Sequence, residues 1–173
     1  MLTYTLLHKP SLRGVIATSS GLRSPLHEQK IKVLLAKVLG SLTPSTLLAS
    51  ELNTAGISHD EQVLRAYTSD PLVHDRISLG LGKALLSASE YAWQHAEEFS
   101  LPLLLMHGVA DTVTYSQGSE DFSARVAKNN KDVTLKLWDD LYHELHNEPQ
   151  KQDVFRFMID WLDSHLVPFL RTS

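Results

Sequence analysis

LPLLLMHGVADTVTYSQGS, residues 101–119, decides the fold of this chain. After Pro102 the residues are apolar without a break through Met106, and Gly108 ends the run. A strand that is apolar at successive positions, rather than at alternate ones, is written for burial on both faces of a sheet. Residues 116–128 follow with Phe122 and Val126 one turn apart, an amphipathic helix. In residues 133–138, Val133, Leu135 and Leu137 alternate with Thr134 and Lys136, a half-buried strand. Residues 152–166 set Val154, Phe155, Met158, Ile159, Leu162, His165 and Leu166 at helical spacing. The alternation of strand, helix, strand and helix predicts a parallel sheet with right-handed crossovers.

Working back toward the start, residues 12–19 hold a short apolar core around Val15 and Ile16, a buried strand, punctuated by Ser20–Gly21 and Pro25. Residues 27–42 place Ile31, Leu34, Leu35, Val38, Leu39 and Leu42 on one helical face, with Gly40 as the expected stop. Residues 43–58 are polar and aperiodic and read as loop or short helical turns. Ser58 with Glu61 three residues later matches a capping box that opens a helix to Tyr67, and Asp70–Pro71 ends it. Residues 77–99 form a long helix whose apolar stripe is Leu81, Leu85, Ala88, Ala92 and Trp93. The interval 20–100 is far too long for a simple crossover, so an inserted helical lid is expected there, within one domain spanning 1–173. Residues 1–7 are apolar and run into His8–Lys9–Pro10, like the last turns of a helix whose beginning is missing.

Composition narrows the function classes. With 43% hydrophobic and 21% charged residues the chain is globular and not disordered. Sixteen basic against twenty acidic residues give a net charge of −4, which supplies no basic excess for nucleic acid. The absence of cysteine excludes disulfides, thiolate metal sites and cysteine nucleophiles, but does not fix the compartment, since a secreted protein need not carry any; a cytoplasmic or peripherally membrane-associated location is the expectation. No transmembrane segment and no signal peptide is expected, since no run reaches roughly 18 apolar residues and the start lacks a cleavage site. No glycine-rich phosphate loop is present, and no organic cofactor or metal is expected.

Functional groups in open α/β sheets collect beyond the carboxyl ends of the strands. Asp111 follows one strand and His143 follows the next, so both belong on the same rim. A buried carboxylate there orients an imidazole and stabilises its protonated form. A loop-capping role for Asp111 and a structural role for His143 are the bland alternatives. His107 at the strand end reads as structural, packed under Asp111, and Asp139–Asp140 as a solvated turn. His143, Glu144 and His146 lack the i, i+4 histidine pair of a helical zinc site. His74 and Arg76 are candidates for a substrate entrance, and Leu34, Leu35, Leu39, Leu47 and Leu48 for the wall of an acyl pocket. Ser19, Ser20, Ser116 and Ser119 lie near the rim, but none sits in a tight strand-to-helix turn between small residues.

The segments at 101–119 and VTLKLWDDLYHELHNEPQKQDVFRFMIDWL, residues 133–162, resemble the C-terminal half of an α/β-hydrolase of the monoacylglycerol lipase and lysophospholipase group, the serine aminopeptidase S33-like branch. AYTSDPLVHDRIS, residues 66–78, resembles the segment that closes the helical lid in that group. The resemblance implies a partial α/β-hydrolase fold, a parallel sheet with flanking helices and an inserted lid. It implies Asp111 as the acid and His143 as the base of a Ser–Asp–His triad. Substrates would be small lipid or aryl esters such as monoacylglycerols or lysophospholipids. The family carries its nucleophile in a G-x-S-x-G elbow, which occurs nowhere in these residues. The expectation is therefore a serine hydrolase fragment, inactive alone and prone to self-association through an exposed sheet. The alternative is a non-catalytic remnant or interaction protein that retains part of the fold.

Overall fold

The computed structural model of the chain describes residues 1–50 and 52–170. In chain order it contains α1 (Leu2–His8), β1 (Val15–Thr18), α2 (Pro25–Glu28), α3 (Lys30–Leu42), β2 (Leu47–Ala49), a 3-10 turn (Thr54–Gly56), α4 (Glu61–Ser69), β3 (Arg76–Ser78), α5 (Leu79–His95), β4 (Leu103–Gly108), α6 (Ser116–Val126), β5 (Val133–Trp138) and α7 (Lys151–Leu170). The main sheet is parallel, in the order β1-β4-β5. Leu103 lies opposite Val15 on one side and Val133 on the other, and Met106 opposite Thr18 and Lys136.

β4 is the centre of the molecule, and all six of its residues are buried. Successive side chains point to opposite faces of a strand. Leu103 and Leu105 accordingly join Leu2, Leu6, Ala92, Phe122 and Val126 on one face. Leu104 and Met106 join Leu141, Leu145, Val154 and Trp161 on the other. Truncating any of these leucines to alanine costs roughly 2–5 kcal/mol, because the tight interior refills only in part. β5 is half-buried along its length, as its alternating sequence predicts.

Several local expectations are corrected. Gly40 does not stop a helix. It lies inside α3, where an added Cβ would stand 2.7 Å from the Leu79 carbonyl oxygen, so the glycine permits close contact with α5. The predicted 27–42 helix is two helices, α2 and α3, parted at Gln29. α4 is capped by Asp60, whose carboxylate accepts from the Gln62 amide, and the Ser58 hydroxyl is used elsewhere. Residues 47–49 pair antiparallel with 76–78, a two-stranded element too short for its alternation to show in sequence. Along α5 the buried stripe is Leu79, Gly82, Leu86, Ser89 and Ala92, whereas Leu81 and Leu85 are exposed. Along α7 the buried anchors are Val154 and Trp161, while Phe155, Ile159, Leu162 and Leu166 remain exposed. No helix among the described residues is long and apolar enough to cross a membrane.

Candidate active site

The carboxyl end of β4 is crowded. A Cβ added at Gly108 would lie 2.1 Å from the Leu141 carbonyl oxygen and 2.5 Å from that of Tyr142, so only glycine lets the loop after β5 cross the strand end. This approach brings the two rim loops together. Asp111 Oδ1 accepts from the amides of Val113 at 2.8 Å and Thr114 at 3.0 Å, which fixes the carboxylate on its own loop. Oδ2 accepts from His143 Nδ1 at 2.8 Å, the Thr114 hydroxyl at 3.0 Å and His107 Nε2 at 3.1 Å. Burial by itself would raise the Asp111 pKa. The donors from His107, His143 and the Thr114 amide outweigh it and hold the carboxyl well below the ordinary carboxylate range.

Because Asp111 is ionised, the His143 nitrogen facing it carries a proton, and Nε2 is left as the basic nitrogen. The Asp111 side chain is fully buried, while the His143 side chain is 27% exposed, so the carboxylate is shielded and the imidazole remains accessible. The end of β1 braces the pair. Ser19 stands in the left-handed region at φ 45°. Its hydroxyl donates to the His143 carbonyl at 2.5 Å, and its own carbonyl accepts from Thr114 at 3.2 Å.

A third segment, just ahead of α4, locks onto the His143 loop. The Gly56 carbonyl accepts from the His143 amide at 3.3 Å and the Ile57 carbonyl from the Glu144 amide at 2.8 Å. The Ser58 hydroxyl donates to the Asn147 carbonyl at 2.8 Å. Glu148 is fully buried and accepts from the Tyr142 amide at 2.6 Å, the His59 amide at 3.0 Å and His59 Nδ1 at 3.1 Å. The His59 and Tyr142 rings stack at 3.6 Å. Sequence reading missed Glu148 entirely. Its only signal is an acidic residue five positions after His143, beside Pro149, and nothing in the pattern reveals its burial.

The other candidates are dispersed. His107 is buried and bonded to Asp111, as a packed residue beneath it should be. Ser119 is also buried and bonded to His107, and the Ser116 hydroxyl faces Glu120. His146, His74 and Arg76 are exposed. Leu34, Leu39, Leu47 and Leu48 are exposed as well, and the Leu35 side chain lies outside the described residues. No group of three potential metal ligands occurs among the described residues.

Residues 1–150 match the family model described as serine aminopeptidase, S33. The chain belongs to that family. The monoacylglycerol lipase of Mycolicibacterium smegmatis is 36% identical over 137 residues, which are 79% of this chain and 48% of that lipase. Phospholipase YtpA of Bacillus subtilis is 29% identical over 158 residues, 91% of this chain and 60% of that protein. The crystal structure of Paleococcus ferrophilus monoacylglycerol lipase superposes with a TM-score of 0.88 at 34% identity, covering 95% of this chain and 63% of that one. This S33 chain therefore spans 48% of the one lipase and 63% of the other, and it forms part of the α/β-hydrolase fold.

Proposed function

We propose that Asp111 and His143 are the acid and base of a serine hydrolase that cleaves carboxylic esters of the monoacylglycerol or lysophospholipid kind. One observation carries the reading: a buried, ionised carboxylate 2.8 Å from Nδ1 of a partly exposed imidazole whose Nε2 is left to act. The names of the relatives support the substrate class. A serine hydroxyl presented to Nε2 loses its proton there as its oxygen attacks the ester carbonyl. Asp111 stays ionised and stabilises the imidazolium. That proton then passes to the departing alcohol, leaving an acyl-serine. Water gives a proton to the same nitrogen as it attacks, and the proton returns to the serine when the acid leaves. The nucleophile in this reading belongs to a G-x-S-x-G turn, which residues 1–173 do not contain.

The test uses the natural full-length polypeptide and p-nitrophenyl butyrate. Asp111→Asn lowers kcat by about 10⁴, since the imidazole is then held in the wrong tautomer. His143→Ala costs at least as much, and the double variant is little worse than either single one. His146→Ala keeps most of the activity. Survival of kcat in His143→Ala refutes the assignment of the base. If a fluorophosphonate probe labels no serine in the unmutated polypeptide, the non-catalytic alternative is right instead.

A further inference from the structure

The hydrolytic reading leaves one imidazole of the site without a task. His107 is the fifth residue of β4, so strand alternation sets it on the face of Leu103 and Leu105. There its Nδ1 lies 2.7 Å from the hydroxyl of Ser119 on α6. Its Nε2 lies 3.1 Å from Asp111 Oδ2 and 3.2 Å from the Thr114 carbonyl oxygen. Both of those neighbours are acceptors, so Nε2 carries the proton, and Nδ1 accepts from the Ser119 hydroxyl. Ser119, His107 and Asp111 thus form a hydroxyl–imidazole–carboxylate chain. It is sealed, since Ser119 and His107 are 0% exposed, and no substrate reaches it.

Its effect falls on Asp111. Oδ2 already accepts from His143 at 2.8 Å and from the Thr114 hydroxyl at 3.0 Å. A carboxylate oxygen offers two lone-pair sites, so a third donor takes charge density that would otherwise go to the other two. We propose that His107 is a positioning residue that limits how strongly Asp111 holds the Nδ1–H of His143, and that Ser119, by donating to Nδ1, strengthens His107 as a donor to Asp111. The catalytic consequence rests on the proposed roles of Asp111 and His143, whereas the spectroscopic readout does not. The titratable groups facing this oxygen are His107 from β4 and His143 from the loop after β5. On α6, Glu120 faces Ser116 and Asp121 pairs with Arg23, while Glu148 and His59 pair with each other.

The test compares His107→Met, which fills the space without donating, with His107→Gln, whose amide can donate to Asp111 while its carbonyl accepts from Ser119. Ser119→Ala leaves the imidazole and its tautomer in place but removes the donor to Nδ1, so Nε2–H becomes a weaker donor to Asp111. All are made in the full-length protein and observed by ¹H–¹⁵N NMR of the histidine ring. In His107→Met the His143 Nδ1 proton moves downfield, because Asp111 now serves it more fully. The acid limb of kcat/KM moves to higher pH by about one unit, the scale on which one hydrogen bond to a charged group acts. His107→Gln restores both readouts, and Ser119→Ala moves them the same way by less. A purely structural role would lower kcat without moving the limb. The proposal is overturned if the Nδ1 proton stays put in His107→Met and Ser119→Ala, or if His107→Gln behaves like His107→Met. If His107→Met does not fold, Ser119→Ala decides. Absence of ester hydrolysis in the unmutated protein sinks the hydrolase reading, and the Nδ1 proton still decides the role of His107.

Discussion

Replacing Glu148 isolates the contact that pins the His143 loop. Its carboxylate serves two main-chain donors, Tyr142 and His59, and the His59 ring, from a fully buried position. Glu148→Ala leaves both amides without a partner. A buried donor left unsatisfied costs about 1–3 kcal/mol, so the pair costs about 2–6 kcal/mol. The His59 side chain is 42% exposed, which gives water a route to one of the two amides. The lower half of that range is therefore expected, about 2–4 kcal/mol. For a chain of this size each kcal/mol lowers Tm by about 2–4 °C, so the melt falls by about 4–16 °C. Glu148→Gln keeps one acceptor oxygen but turns an amide N–H₂ toward other donors, and its loss falls between the native and alanine values. Circular-dichroism melts give the global cost. Hydrogen exchange at the Tyr142 and His59 amides shows whether it is paid locally. A Glu148→Ala protein that melts within a degree or two of the native one, with both amides still protected, refutes the clamp.

Other consequences are sharp enough to measure. Gly108→Ala sets a Cβ against two main-chain carbonyls that belong to the His143 loop, so it costs about 3 kcal/mol or prevents folding, and an unchanged melt would show that the loop does not cross the strand end. At His165, burial lowers the pKa, but the Trp161 carbonyl and Asp132 outweigh it and the net shift is upward. Such a group stabilises below the ordinary imidazole range and loses that contribution as pH rises through its raised folded value, so Tm declines as pH is taken up from the ordinary imidazole range and declines less in His165→Ala. Among the described residues β1 pairs only with β4, leaving its other edge open, so a polypeptide of residues 1–173 self-associates at micromolar concentration; a sharp monomer peak by light scattering contradicts this.

The parts of the fold written in period and punctuation were readable from sequence. β4 announced itself because burial on both faces leaves Leu103 to Met106 apolar at successive positions, with Gly108 closing the run; that this glycine also admits the crossing loop depends on a segment more than thirty positions away. Asp111 and His143 were legible as two polar residues just past adjacent strand ends, and the structure sets them 2.8 Å apart. What periodicity could not supply was the choice between rival apolar faces. α5 carries leucines on two sides, and the sequence pattern favoured Leu81 and Leu85 although Leu79 and Leu86 are the buried ones. Ser58 looked like a helix cap because its spacing to Glu61 was right, yet its hydroxyl donates to a carbonyl 89 positions away. Glu148 depends on His59, equally distant, and the 47–49 strand on residues 76–78, roughly thirty positions on, which no local window contains.

The two members of the pair are held in different ways. Asp111 is fixed within its own loop, by amides two and three residues ahead of it. His143 is aimed by segments that arrive from elsewhere: Ser19 at the end of β1, and residues 56–59 ahead of α4. Five bonds join residues 56–59 to residues 143–148, those from the amides of His143, Glu144 and His59, the one from the Ser58 hydroxyl and the one from the His59 ring. At about 1 kcal/mol each they sum to about 5 kcal/mol, so an arrangement with the segment detached is populated about once in five thousand. Gly56 closes the arrangement from the other side, since an added Cβ would stand 2.4 Å from Thr112 Oγ1 on the Asp111 loop. The same short turn thus touches both rim loops. α4 begins where this turn ends, at Asp60, so displacing α4 by more than the slack of those bonds must either break them or carry His143 away from the carboxylate.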